Sequence, residues 1–586
     1  MTMDIKKQRK IKAVKNLVAV IAIIVVANIV SQFVFCRWDL TAEKRFSLTP
    51  FTKEYLSQLK GNVMVSIFLD GDELPVTFKR MKQEVKDKLD EFKVYGGRKI
   101  DYIFVNPTAS ENKETRYGIY KRLTDKGLHP VEIENQTEGQ SVKTMIFPSA
   151  IINYTLEGKT GIGNNIHDTT IVREIGVNLL KTDPQLEVGD EKNIFNSIET
   201  LEYEIINAIF RLSQITKPEI AFLEGHGEAD ENQVVDICTE LSDYYDVRRG
   251  AINSVAGILD RFKAVVIAKP IKPFSEDDKF VLDQYIMNGG NVLWLIDATT
   301  ASIDSLYSSP SSVVTALDIN LGDMLFSYGA RLNADLIRDL QCAPIGLAAA
   351  GQGTSTQIKL FPWEYYPVLI SKAKHSVTKH LNYLRCQFVG TIDTVGNSPN
   401  AKKTVLLTSG KYSKVLPVPV ALSFNEINVR QNPNNYSNGF KPVGVLLEGC
   451  FESAFAQRPS RTIGDKIVKV KEKSDSAKMI IVSDGDIAIN DISAQGEAYP
   501  LGFDRNTRTT FKGNKEFVVN AVNYLTGNSD LMTIRMKEVK VRLLDKQKTN
   551  SMRTKLALLN VLMPLVLLAL AGFVVNFVRK RKYTKN

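Results

Sequence analysis

Apolar positions along this chain follow three rhythms. Two runs, Asn16 to Cys36 and Leu556 to Val578, carry no Asp, Glu, Lys or Arg over 21 and 23 residues. An α-helix needs about 20 apolar residues to cross bilayer hydrocarbon, so each run predicts a transmembrane helix (16–36 and 556–578). Between them the rhythm shortens. VMVSIFL, Val63 to Leu69, alternates as a strand does, and Phe78, Met81, Val85, Leu89 and Phe92 recur at helical spacing before a second strand at Ile100 to Val105. This is a β-α-β start. Helices at Thr52 to Leu59 and Lys113 to Lys126 and strands within Val142 to Tyr154 extend it to a small α/β domain over 37–185. The polar, glycine-containing stretch Glu157 to Glu191 reads as its boundary.

A larger domain is expected over 186–530. A helix from Ile194 to Gln214 opens it, with Leu201, Ile205, Ile209 and Leu212 on one face. Strand Glu219 to Leu223, helix Glu231 to Leu241, strand Ala264 to Ala268, helix Ser275 to Met287 and strand Asn291 to Ile296 then alternate at βαβ spacing. AVVIA and NVLWLI are unbroken apolar runs, the signature of parallel strands covered on both faces. Residues 321–473 are richer in strands and broken by loops at 348–356 and 431–439, an insertion before the buried-type strand Met479 to Val482. Lys515 to Leu525 reads as a helix capped by Asn514. A juxtamembrane segment, 531–555, holds Lys537 to Lys548 with Val539, Leu543 and Leu544 on one side, either a stiff amphipathic helix or a simple connector. The fold class is therefore α/β, a small and a larger doubly wound domain with a strand-rich insertion, flanked by two spans.

Charge adds topology. Lys6, Lys7, Arg9, Lys10, Lys12 and Lys15 precede the first span, and Arg579, Lys580, Arg581, Lys582 and Lys585 follow the second. Lys and Arg beside a span stay on the cytoplasmic side, so tails 1–15 and 579–586 read as cytoplasmic and the block between as extracytoplasmic. Arg542, Lys546, Lys548, Arg553 and Lys555 crowd the inner flank of the second span, leaving the first to set the direction. The net charge of +10 lies wholly in the tails, because without their eleven bases and Asp4 the chain holds 64 bases and 64 acids. That removes the case for a nucleic-acid partner. The first run is too long for a signal-peptide core and lacks a small-residue cleavage site, which favours an uncleaved anchor. Cys36, Cys238, Cys342, Cys386 and Cys450 show no paired metal spacing.

Candidate chemistry sits at three strand ends. Glu224-Gly225-His226-Gly227-Glu228 follows the first strand of the larger domain, Asp297 ends NVLWLID, and Ser483-Asp484-Gly485-Asp486 follows MIIV. Ligands of open α/β sheets bind at the carboxyl ends of strands. If the loops meet, Glu224, His226, Glu228, Asp297, Asp484 and Asp486 form a carboxylate-rich pocket able to hold a hard cation or polarise a water. The alternative is that the glycines make tight turns and the acids cap helices. No G-x-S-x-G or G-x-C-x-G elbow follows a strand, no phosphate-binding G-x-x-x-x-G-K-[ST] occurs, and His375 and His380 lack metal-site spacing. Catalysis, a cofactor and a metal are not expected.

Several segments together resemble the GldG family of gliding-motility-associated ABC-transporter auxiliary proteins. They are DLTAEKRFSLTPFTKEYLSQL from Asp39, FLDGDELPVTFKRM from Phe68, FLEGHGE from Phe222, VSDGDIAIN from Val482, GNKEFVVNAVNYLTG from Gly513 and IRMKEVKVRLLDK from Ile534. Asn560-x-x-x-Pro564 with the RKRKY tail completes the set. The resemblance runs end to end. It implies a fold like that of class I glutamine amidotransferases without the nucleophile, partners that are an ABC permease and a cytoplasmic ATPase, and a place in a bacterial inner membrane with the bulk of the chain periplasmic. Two function classes follow: a non-enzymatic transporter subunit, or a membrane-tethered hydrolase or ligand binder using the acidic loops.

Overall fold

The computed structural model describes residues 15–23, 47–527, 534 and 546–583, less the stretches 72–73, 111, 138–139, 161–166, 182–189, 215, 350–356, 370, 372–374, 380, 397–400, 429–430, 458–459 and 465. It divides into two compact units, Phe46–Lys537 and the two termini, Met1–Arg45 with Glu538–Asn586.

The Phe46–Lys537 unit opens with α1 (Pro50–Ser57), started by Thr49, whose hydroxyl accepts from the Thr52 amide. Next come β1 (Asn62–Ile67), α2 (Val76–Gly96), β2 (Ile100–Phe104) and α3 (Lys113–Asp125). The pair β3 (Ser149–Thr160) and β4 (His167–Asn178) completes a sheet of order β2-β1-β3-β4, with β1 parallel to β2 and the other pairs antiparallel. The sequence dictates the buried face. Val63, Val65 and Ile67 alternate inward from β1, and the stripe Phe78, Met81, Val85, Leu89 and Phe92 of α2 lies on them.

Two readings change here. Much of the polar stretch expected as a boundary is strand, because β3 and β4 pair from Ser149↔Asn178 out to Thr160↔His167. Its polarity reflects an exposed hairpin; Thr170, Ile171 and Val172 of β4 all face solvent. The helix expected to open the larger domain, α4 (Glu191–Ser213), does bury Leu201, Ile205, Ile209 and Leu212, but in the core of this first sheet.

The second sheet is built from β5 (Glu219–Glu224), α5 (Glu231–Ser242), β6 (Asp246–Ala251), β7 (Ala264–Ala268), α6 (Glu276–Met287) and β8 (Asn291–Leu295). After β8 the insertion contributes β9 (Asp335–Asp339), β10 (Cys342–Ala349), β11 (Gln357–Leu369), β12 (Ala401–Thr408), β13 (Ser413–Pro417) and β14 (Pro442–Gly449). Then follow β15 (Ala477–Val482) and α7 (Gly513–Leu525). The seven-stranded order is β12-β14-β15-β8-β7-β5-β6, parallel from β15 to β6 and antiparallel at β14 and β12. Alternation sorts the central strands between two cores. Val266, Leu293 and Ile480 pack with Val234 and Ile237 of α5 and Phe517 and Val518 of α7. Val265, Trp294 and Ile481 pack with Phe280 and Leu282 of α6 on the other face. Apolar residues on both faces of a strand require cover on both sides, which is why the sheet is doubly wound.

The insertion has its own core of Leu336, Trp363, Tyr365, Tyr366 and Leu422, where β9 pairs with β13 and β10 with β11. Asn514 is not the cap of α7. The helix starts at Gly513, and the Asn514 side chain instead accepts from the Arg385 amide at 2.9 Å and donates to its carbonyl at 2.8 Å, stitching helix to insertion. A Cβ at Gly513 would lie 2.4 Å from the Asn382 carbonyl oxygen, so only glycine allows this approach.

In the terminal unit, residues 15–23 are helical and α8 (Lys546–Tyr583) is a 38-residue helix. Its stretch Ala557–Arg581 is 25 residues long, apolar and uncovered by protein. At about 1.5 Å per residue it is longer than the roughly 30 Å of bilayer hydrocarbon. The rest of the first apolar run, 24–36, and the segment 535–545 lie outside the described residues.

Candidate functional site

The parallel strands run β6-β5-β7-β8-β15 in space, so the chain leaves β5 toward one edge and returns to β7 on the other side. Between β5 and β7 the order reverses, and there doubly wound sheets open their ligand crevice. Here the loop after β5 fills that crevice. The His226 carbonyl accepts from the amides of Ile271 and Lys272 at 3.1 and 2.8 Å, and the Ala229 amide donates to the Ala268 carbonyl at 3.0 Å. Gly225 and Gly227 have φ of 112° and 73°, and a Cβ on Gly227 would stand 2.6 Å from Ile271. The two glycines are what let the loop fold down.

The six predicted residues divide into three groups. Glu224 lies apart, its carboxylate held at 2.7 Å by Nε of Arg249 on the neighbouring strand β6. His226 and Glu228 come together with a residue not foreseen, Asp278, on the first turn of α6. The imidazole Nδ1 is 3.1 Å from Glu228 Oε1 and Nε2 is 3.2 Å from Asp278 Oδ2, while the ring stacks on Phe274 at 3.7 Å. Burial works against the charged imidazole, but the hydrogen bonds to Glu228 and Asp278 outweigh it and raise the pKa above its ordinary value. Ser275 caps α6: its hydroxyl accepts from the Asp278 amide and donates to Asp278 Oδ2 at 2.8 Å.

Asp297, Asp484 and Asp486 converge: one carboxylate oxygen from each lies within 4.8 Å of the others. They come from the ends of β8 and β15, adjacent strands in parallel register. Backbone amides fix them, with Gly485 N donating to Asp297 at 2.6 Å, Asp486 N to Asp484 at 2.8 Å and Gln387 N to Asp484 at 3.1 Å. A cation is built in. Lys269, at the end of β7, places Nζ 2.5 Å from Asp486 and 3.4 Å from Asp297. Burial pushes the Asp484 carboxyl up to about 8, reinforced by the charges of Asp486 and Asp297. Asp297 rises for the same first reason, desolvation, and Lys269 stays charged because Asp486 and Asp297 more than offset its burial. The Cys386 thiol of the insertion bonds to Asp484 and is pushed far above its usual range by complete burial. The arrangement can hold a proton on Asp484 while Lys269 balances the other carboxylates.

Sequence reasoning missed Lys269, Asp278 and Cys386. Lys269 obeys the same strand-end rule that singled out Asp297, and Ser275-x-x-Asp278 carries a helix-start spacing. Cys386 offers no local signal, since only the insertion's fold brings it to Asp484.

A doubly wound α/β domain with polar strand-end loops, joined in one chain to an apolar helix long enough to cross a bilayer, defines the class. The model of the ABC-type uncharacterized transport system family, an auxiliary domain, matches residues 217–521, more than half of the chain, and the chain belongs to that family. A second model, described only as a domain of unknown function, matches residues 42–153. No curated protein matches. Among solved structures the mmIFT52 N-terminal domain is similar over 53% of this chain and 97% of its own, at 12% identity and a TM-score of 0.30.

Proposed function

We propose that this chain is the membrane-anchored, non-enzymatic extracytoplasmic subunit of an ABC transporter of the gliding-motility-associated type, coupling a permease and an ATPase to an extracytoplasmic substrate or partner. The observation that carries the reading is the joining, in one chain, of a family-matched transport auxiliary domain to the uncovered apolar helix Ala557–Arg581. Basic residues in both tails support cytoplasmic termini. A fixed anchor does not suit a diffusible capture protein; it suits a module that stays beside its permease. The test is co-expression with an ABC permease and ATPase from the same genome, detergent extraction and capture through a tag on this chain. Stoichiometric recovery of both partners is expected. Recovery of this chain alone, from membranes that contain all three, removes the proposal.

A second reading, a ligand-binding or hydrolytic site at the acidic loops, is favoured by the convergence of Asp297, Asp484 and Asp486. Against it, Lys269 already supplies the positive charge at these carboxylates, and the loop carrying His226 and Glu228 is bonded down into the crevice. Calorimetric titration with calcium or magnesium separates the two, since saturable binding abolished by Asp297→Asn would favour the second.

A further inference from the structure

Unbalanced charge lines a cleft of about 730 Å³ bordered by the end of α3, strand β4, the end of α4 and the segment entering β5. Four cations line it, Lys126, Arg173, Arg211 and Lys217, against two acids, Glu174 and Asp243. Both acids are taken. Lys126 Nζ sits 2.8 and 2.9 Å from the two Glu174 oxygens, and Arg211 pairs with Asp243. Arg173 donates to the carbonyls of Leu212 and Gln214 and Lys217 to that of Ser242, so among the described residues neither has a carboxylate partner. Two positive charges are left over.

Three further features point the same way. Nε of Arg211 and Oε1 of Gln214, a donor and an acceptor in two residues that line the cleft, are buried without hydrogen-bond partners. Leaving a buried polar group unpaired is costly, so groups left in that state are groups a ligand can satisfy. The cations also repel one another: partial burial lowers the Lys217 pKa, and Arg173 and Arg211 lower it further, with only Asp246 opposing. Finally, Ile151, Ile175 and Leu212 give the cleft an apolar side, and its volume falls within the roughly 300–1,000 Å³ of small-molecule sites.

We infer that this cleft binds a small organic phosphate monoester that carries hydroxyl groups, the phosphate between Arg173, Arg211 and Lys217. Two surplus positive charges match a dianion, and guanidinium forks match tetrahedral oxyanions. With these two side chains turned outward, the unpaired Arg211 donor meets a phosphate oxygen and the Gln214 acceptor a hydroxyl. The inference is independent of the strand-end loops and holds whether or not the chain assembles with a permease.

The test is titration calorimetry on the full-length protein in neutral detergent at fixed ionic strength, with glucose 6-phosphate, inorganic phosphate, citrate and short-chain phosphatidic acid as separate probes. Saturable binding of glucose 6-phosphate is expected, weakened about tenfold or more by Arg173→Gln or Lys217→Gln through the loss of a charge-assisted contact. Lys217 is exposed, so K217Q keeps the test alive if R173Q fails to fold. Without ligand, K217Q is expected to melt no lower than the native chain, because a repelling charge has gone. The inference is overturned by absence of saturable binding of glucose 6-phosphate, by equal affinity in the native chain and K217Q, by a preference for citrate, or by a response to phosphatidic acid alone.

Discussion

Asp484→Asn tests whether the strand-end cluster holds a proton. Asp484 is fully buried, and its pKa rises from 3.8 to about 8. An acid whose pKa is raised by folding makes its full contribution below 3.8 and loses it as pH climbs toward 8, because the unfolded chain releases the proton first. The loss is about 1.4 kcal/mol per pH unit, and its ceiling across that window is about 5–6 kcal/mol. Asp484, Asp297 and Asp486 titrate as one interacting set, so this ceiling belongs to the set and not to Asp484 alone. Asparagine does not titrate. It mimics the protonated acid with one defect: both carboxylate oxygens of Asp484 accept backbone amides, from Asp486 at 2.8 Å and Gln387 at 3.1 Å, so the new amide NH₂ must face one donor. That penalty is independent of pH.

The diagnostic is therefore the slope and not the offset. Unfolding of the full-length protein in detergent, followed by tryptophan fluorescence that includes buried Trp294 in β8, gives melting temperatures from pH 5 to pH 9. The melting temperature of D484N minus that of the native chain is expected to climb between pH 5 and 8, by several degrees in all at roughly 2 °C per kcal/mol, then flatten. Parallel curves would refute a buried proton on Asp484. A difference that shrinks with rising pH would show the carboxyl to be held ionised by its three donors, with hydrogen bonding outweighing desolvation.

Three other outcomes are expected. His226 has a raised pKa, so its stabilising share is present below 6.5 and fades as pH rises through the higher folded value; His226→Gln should lower the melting temperature most at pH 5.5 and least at pH 9, and a pH-independent loss speaks against the charged ring. Asp283 of α6 accepts from Tyr328 at 2.7 Å, Ser453 at 2.6 Å, the Ala454 amide at 2.8 Å and Gln284 Nε2 at 2.8 Å, so Asp283→Ala takes the acceptor from four donors and should cost about 3 kcal/mol or more; a loss below about 1 kcal/mol in urea unfolding contradicts that. For topology, a fluorescent protein fused after Asn586 should glow and alkaline phosphatase fused there should be inactive, the reverse pattern placing the C-terminus outside.

Much of the larger domain was readable because its strands are covered on both faces. AVVIA and NVLWLI announce themselves as apolar runs, and their bounds fall within a residue of β7 and β8. β6 was missed because an edge strand needs no such run, and DVRRGA alternates only weakly. The partner of α4 was equally hidden: its apolar stripe is plain, but which sheet receives it is a long-range fact. The site follows the same division. Asp297, Asp484 and Asp486 met because neighbouring parallel strands deliver their ends to one place, which the strand-end rule anticipates. His226 did not join them, because its loop turns back over β7 and finds Asp278 and Phe274.

That turn bears on what the domain can do. A doubly wound sheet ordinarily offers its switch-point crevice to a ligand, and here backbone bonds to Ile271 and Lys272, two carboxylates and an aromatic stack hold the EGHGE loop inside it. Opening the crevice would break at least two backbone hydrogen bonds and strand a buried imidazole between acids. At about 1 kcal/mol for each neutral bond and 1.5–3 for each charged one, that is several kcal/mol, more than a weakly bound solute returns. The loop is therefore a fixed part of the fold, and the Asp297–Asp484–Asp486–Lys269 cluster beside it is closed by its own lysine. Recognition is left to surfaces whose polar groups are still unmatched, and the cleft at Arg173, Arg211 and Lys217 is such a surface.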